Sequence, residues 1–195
     1  ESWFLLAAEL GRPLTRSQFK ESFGMRNEMV IPEVFRWADR TEIETIRRLG
    51  ERKEAIYRDL IARDGLDPLP GVIDLLELLR DAAVPCSLGS STPRRNIEAC
   101  MEITELAPYF GPHLTGAEDV QHGKPHPEVF LTAARKIRRD PARCFVIEDA
   151  HVGIEAGRAA GMITIAVTAT HSAESFGDHP DLIVNSLEKL DLARI

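Results

Sequence analysis

The sequence predicts an α/β fold in which helices cover both faces of a parallel sheet, preceded by an all-helical unit. Three observations predict it. After Gly71, short and mostly apolar runs, such as CFVI and MITIAV, alternate with amphipathic stretches. Strands buried on both faces need that apolarity. Before Asp64 the apolar residues recur only with helical period. Between the two regions lies DGLDPLPG, Asp64 to Gly71, whose Pro and Gly density reads as a hinge. The expected division is a helical unit over 1–66 and an α/β unit over 67–195.

The helical unit opens with SWFLLAAELG, an amphipathic helix stopped by Gly11. Thr15 can cap a short helix through Phe23, since its hydroxyl can accept an orphan backbone N–H. A further helix is expected across Glu28 to Trp37. A long one is expected from Thr41 to Arg63, where Ile43, Ile46, Leu49, Ile56 and Leu60 keep the helical period. In the α/β unit the predicted order is helix Val72–Ala82, strand VPCSLGS, helix Pro93–Met101 and strand HLTG. Helix Pro127–Arg138, strand CFVIE, helix Gly153–Ala160, strand MITIAV and a short last strand LIVN follow.

Composition excludes some function classes. The 195 residues are 44% hydrophobic, enough for a buried core, and carry a formal charge of −7. That charge argues against nucleic acid as partner, which favours a basic face. No apolar run approaches the length a membrane helix needs, and no signal peptide is visible, so no membrane partner is expected. Cys86, Cys100 and Cys144 form no CxxC, which fits free thiols in a cytoplasmic protein. A monomer or weak homodimer is expected.

In parallel sheets of this kind ligands sit beyond the carboxyl ends of the strands. Past VPCSLG come Ser90, Ser91 and Thr92. Past HLTG comes GKPHPEVF with Lys124, and past FVI come Glu148 and Asp149. Hydroxyls at a helix start accept an anion. A lysine neutralises charge on a transferring phosphoryl group, and carboxylates hold a hard cation such as Mg2+. Each also has a structural reading, as helix cap, solvated loop lysine or complement to a helix dipole. The three together at successive strand ends point to phosphate.

The segments LGSST, GKPHPEVF and VIEDAHVGIEAGRAAGM resemble the second, third and fourth motifs of the haloacid dehalogenase superfamily. The nearest branch is the β-phosphoglucomutase and phosphoglycolate-phosphatase-like hydrolases. The resemblance covers nearly the whole chain and implies a doubly wound, Rossmann-like core with an α-helical cap. It implies that Ser90 binds the transferring phosphoryl group, with Ser91 and Thr92 beside it. Lys124 would bridge substrate and nucleophile, and Asp149 with Glu148 would ligate Mg2+. Phe23–Asn27 resembles the family's specificity loop, making Arg26 a candidate for a second anionic group. Glu51–Tyr57 resembles a cap helix whose lysine meets substrate, which falls on Lys53.

The family's first motif, an Asp-x-Asp closing a strand, has no counterpart in these residues. Its first Asp is the nucleophile and its second the general acid and base. The resemblance places it roughly 15 to 25 residues upstream of Glu1. The missing strand would be central, between Val84–Leu88 and Cys144–Ile147, so the sheet is expected to lack its middle. The implied function is an Mg2+-dependent phosphatase acting on a small phosphorylated metabolite through an aspartyl-phosphate. The alternatives are a sugar-phosphate mutase of the same family and a catalytically inactive phosphate-binding or interaction module.

Three other readings concern loops. Arg94 and Arg95, beside the Ser90 loop, read as substrate contacts or, as such pairs more often are, simply as exposed residues. His151 reads as a helix-start residue or a substrate contact. His122 and His126 have a spacing that suits zinc on a helix, but Gly123, Pro125 and Pro127 break any helix there. No zinc site is therefore expected, and His126 is assigned to ordering the Lys124 loop.

Overall fold

One long helix organises the first part of the chain. The structure, a computed structural model, describes residues 1–191, so the last four residues of the expected α/β unit lie outside it. Helix α1 (Ser2–Glu9) packs on α4 (Ile43–Asp64), whose buried face carries Ile46, Leu49, Ile56 and Leu60 as its period requires. Trp3, Phe35 and Trp37 complete this core edge to edge, with ring centroids 4.8–5.9 Å apart. Helix α2 (Arg16–Glu21) begins with a capping box in which Thr15 accepts from the Gln18 backbone and Gln18 reaches back.

The helix expected over Glu28–Trp37 is shorter and different in kind. A single turn, α3 (Asn27–Met29), runs into a π-helical turn over Val30–Val34. Pro32 has no N–H to offer the preceding turn, and the ladder widens, with Phe35 N–H donating to the Val30 carbonyl at 2.9 Å.

The second part alternates as predicted. Its elements are α5 (Val72–Asp81), β1 (Leu88–Gly89), α6 (Arg94–Ile103), α7 (Ala107–Phe110) and β2 (Leu114–Thr115). They continue with α8 (Glu128–Lys136), β3 (Phe145–Glu148), α9 (His151–Ala159), β4 (Ile163–Val167), α10 (Ala173–Phe176) and β5 (Leu182–Val184). All strand pairings are parallel. The short helices α7 and α10 have no counterpart in the sequence reading. Among the described residues, no helix is long and apolar enough to cross a membrane.

The sheet falls into two pieces, β1–β2 and β3–β4–β5. Between them runs an apolar cavity of about 350 Å³, lined by Ser87, Leu88 and Gly89 of one piece and Phe145, Val146 and Ile147 of the other. The interruption falls where the family resemblance implies a further strand, between β1 and β3. It also explains why β1 is two residues long where seven were expected. Leu88 and Ser90 donate to the β2 side (3.0 and 2.9 Å), whereas Val84–Ser87 meet no ladder.

Candidate active site

The two sheet pieces converge at their carboxyl ends on Lys124. Its turn is built locally. The Glu128 carboxylate accepts the backbone N–H groups of Gln121 (3.0 Å) and His122 (2.9 Å), and His126 N–H closes on the Gly123 carbonyl (3.0 Å). Those backbone bonds hold the Glu128 carboxyl down to about 2. The lysine side chain runs inward to 5% exposure. There its ammonium ion-pairs with Glu148, donates to the Gly89 carbonyl at 3.3 Å and lies 4.6 Å from the centre of the Phe130 ring. A lysine this deep needs those partners, because an uncompensated buried charge costs several kcal/mol.

Glu148 closes β3. One of its carboxylate oxygens meets Lys124, and the other accepts the backbone N–H groups of Asp149 (3.0 Å) and Ala150 (3.2 Å) at the start of α9. Gly153 makes room for it: a Cβ there would fall on the Glu148 carboxyl group itself. Asp149 points elsewhere. Its Oδ2 accepts the Thr170 hydroxyl, and its carbonyl lies 3.0 Å from His171 Nδ1. Of the two acids expected to hold a cation, Glu148 is therefore committed to Lys124 and the helix start. Asp149 is the carboxylate held in position by a donor behind it, and hard carboxylate oxygen suits Mg2+.

Past β1, Ser90 Oγ accepts the Thr92 backbone N–H at 3.2 Å. The Ser91 hydroxyl is buried without a partner, as is that of Thr115 at the end of β2. A buried hydroxyl left unpaired costs about 1–3 kcal/mol, so an unpartnered one in the loop after β1 fits a ligand atom. Thr92 belongs to a further network. Its Oγ1 lies 3.3 Å from Asn96 Nδ2, which also donates to Glu54 of α4. Glu54 is 4% exposed and accepts from Asn27 (2.6 Å) and Lys53 (3.0 Å), while Arg58 donates to Asn96 Oδ1 (2.7 Å).

A family model of haloacid dehalogenase-like hydrolases matches residues 3–161. The chain belongs to this family. It is 31% identical over 194 residues to a chloroplastic 5-amino-6-(5-phospho-D-ribitylamino)uracil phosphatase of Arabidopsis thaliana, covering 98% of this chain and 50% of that one. It is 34% identical over 132 residues to hexitol phosphatase A of Escherichia coli, covering 67% and 59%. The chain thus spans about half the length of the curated relatives it matches. Its fold superposes on a haloacid dehalogenase family IA hydrolase from Entamoeba histolytica with a TM-score of 0.88 at 22% identity, covering 98% of this chain and 87% of that one.

Arg26 and Lys53, expected to meet substrate, are both engaged by protein. Arg26 lies over Gly123 and donates to the carbonyls of Ala117 (2.7 Å), Val120 (2.9 Å) and Gln121 (3.3 Å), tying the helical cap to the Lys124 turn. Lys53 bonds Glu54 and lies 5.3 Å from the Trp3 ring and 5.7 Å from that of Tyr57. Arg94 is not a bare surface arginine, since it pairs with Asp119 and donates to the Leu114 carbonyl (2.9 Å). His151 packs against His171 and Phe176, with ring centres 4.5 and 4.6 Å away. Burial, then the charge of His171, holds its pKa below the ordinary imidazole value. Glu54, Asn96 and Thr170 were missed by sequence reasoning. Only Glu54 left a signal, as a charged residue on the inward phase of α4.

Proposed function

We propose that this chain forms most of an Mg2+-dependent phosphatase acting on a small phosphorylated metabolite. The observation that carries the reading is the buried Lys124–Glu148 pair where β1 and β3 end, together with the buried, unpartnered Ser91 hydroxyl in the loop that follows β1. The two relatives named as phosphatases support it. The cavity between β1 and β3 supports a further strand carrying the Asp-x-Asp pair. A strand parallel to its neighbours would end beside Gly89 and Glu148, next to the Lys124 ammonium.

In this mechanism Ser90 and Ser91 bind phosphoryl oxygens, and Lys124 neutralises the charge that builds on them in the transition state. Asp149, oriented by Thr170, would hold Mg2+, and Glu148 positions Lys124. Bound Mg2+ supplies further positive charge against the phosphoryl oxygens. The first Asp of the added strand attacks phosphorus while the leaving alcohol takes a proton from the second. Water, deprotonated by the second Asp, then cleaves the acyl phosphate. Thr92 and Lys53 are joined through Asn96 and Glu54, so the cap helix and the phosphate loop close over substrate as one piece.

The test is hydrolysis of p-nitrophenyl phosphate with Mg2+ by the full natural protein. Lys124→Ala and Asp149→Ala should each lower turnover at least about a hundredfold. Turnover indifferent to both changes would overturn the assignment. No turnover of any phosphomonoester by folded full protein would favour an inactive phosphate-binding module.

A further inference from the structure

We propose that His122, His126 and Glu128 form a second metal site, on the outer face of the Lys124 turn, for a divalent transition ion such as Zn2+. The proposal is independent of the phosphatase reading. Zinc was not expected here because Gly123, Pro125 and Pro127 forbid the helix that usually brings two such histidines together. The turn achieves the same end without a helix. The two imidazole rings lie 4.5 Å apart, centre to centre, and Glu128, in the first turn of α8, brings one carboxylate oxygen within 3.9 Å of a nitrogen of each. One ligand atom from each of the three residues lies within 4.8 Å of the other two.

The geometry is near what zinc requires. His122 Nδ1 is 3.0 Å and His126 Nδ1 3.9 Å from the same Glu128 oxygen. Bonds of about 2.0–2.1 Å in a tetrahedral site put neighbouring ligand atoms roughly 3.3 Å apart, between those two values. The other Glu128 oxygen accepts the Gln121 backbone N–H, as the outer partners of metal ligands usually do, and the oxygen facing the histidines also accepts the His122 N–H. Two contacts would be displaced: the His122–Glu128 bond and a 3.3 Å bond from the Glu128 N–H to His126 Nδ1. Two imidazoles and one carboxylate favour Zn2+, Co2+ or Ni2+ over Mg2+, which prefers oxygen alone. The histidine side chains are 62% and 50% exposed, so an ion can enter from solvent and keep water in its remaining position. Lys124 points inward from the same turn, so the ion would brace the loop without touching the ammonium.

The experiment is a Co2+ titration of chelator-treated full protein, followed by visible d–d absorption and displaced by Zn2+. Millimolar Mg2+ throughout occupies any site made of oxygen alone. One equivalent of Co2+ should bind, and His122→Ala and His126→Ala should each weaken it at least about tenfold. Asp149→Asn and the triple replacement of Cys86, Cys100 and Cys144 by Ser should leave it unchanged. Far-UV circular dichroism checks that the histidine variants, altered at exposed positions, remain folded. Absence of binding at sub-millimolar Co2+ and Zn2+ would overturn the proposal. So would binding that survives loss of both histidines, or binding lost with the cysteines.

Discussion

Gly153→Ala tests how Glu148 is seated. The backbone there is ordinary helix, and alanine is the better helix former by up to about 1 kcal/mol. On propensity alone the change should stabilise the protein. The new methyl group would instead occupy the space of the Glu148 carboxyl, so that side chain must leave. Its departure breaks the pair with Lys124, whose side chains are 5% and 10% exposed, and frees the N–H groups of Asp149 and Ala150. Stranding one member of a buried pair costs about 3–5 kcal/mol. Net of the helix gain, Gly153→Ala should destabilise by about 2–4 kcal/mol. In a Glu148→Ala background the clash is gone and only the gain remains, so the sign should reverse. Urea unfolding of the four proteins at pH 7 measures the cycle. Equal effects of Gly153→Ala in the two backgrounds would refute the argument.

Three further predictions concern other parts of the molecule. Glu54→Ala leaves Lys53 and Asn96 without their acceptor at the cap–core junction and should cost about 3 kcal/mol in urea unfolding; a loss below about 1 kcal/mol would mean water replaces the carboxylate freely. Thr170→Val removes the donor behind Asp149 and should weaken Mg2+ binding by calorimetry about tenfold, whereas unchanged affinity would remove Thr170 from the metal's surroundings. Asp181 accepts the backbone N–H (2.7 Å) and hydroxyl (2.9 Å) of Thr164, which hold its pKa below the ordinary 3.8. A depressed carboxyl contributes stability above that ordinary value and loses it as pH falls through the lower folded value. Asp181→Asn should therefore flatten the dependence of stability on pH below 3.8, and an unchanged acid limb would count against it.

The strands CFVIE and MITIAV were legible because a covered sheet leaves them mostly apolar, with Glu148 at a strand end and Thr164 paired to Asp181, and β3 and β4 appear within a residue or two. The strand at Val84–Ser90 was legible as an apolar run but not in length, because a ladder depends on a neighbour that local pattern does not encode. The π-helical turn at Val30–Val34 follows from Pro32, whose lost N–H can be absorbed by widening a turn as well as by ending a helix. At the site, Lys124 and Glu148 were legible as residues past successive strand ends, but their ion pair was not, since Glu148 read as a cation ligand beside Asp149. Glu54 and Asn96 could not be paired, since they are 42 positions apart and meet only when the cap folds back. The histidines of the Lys124 turn were separated by a rule about helices, which says nothing of two side chains on a tight loop.

Arg26 gives the molecule a mechanical linkage. One guanidinium from the cap grips three carbonyls just ahead of Lys124, and the lysine's own reach ends on Glu148 of the other sheet piece. Tilting the helical half away would pull on that turn as well as on the Glu54–Asn96 bond. Admitting a new molecule and slackening the charge that grips it would then be a single stroke.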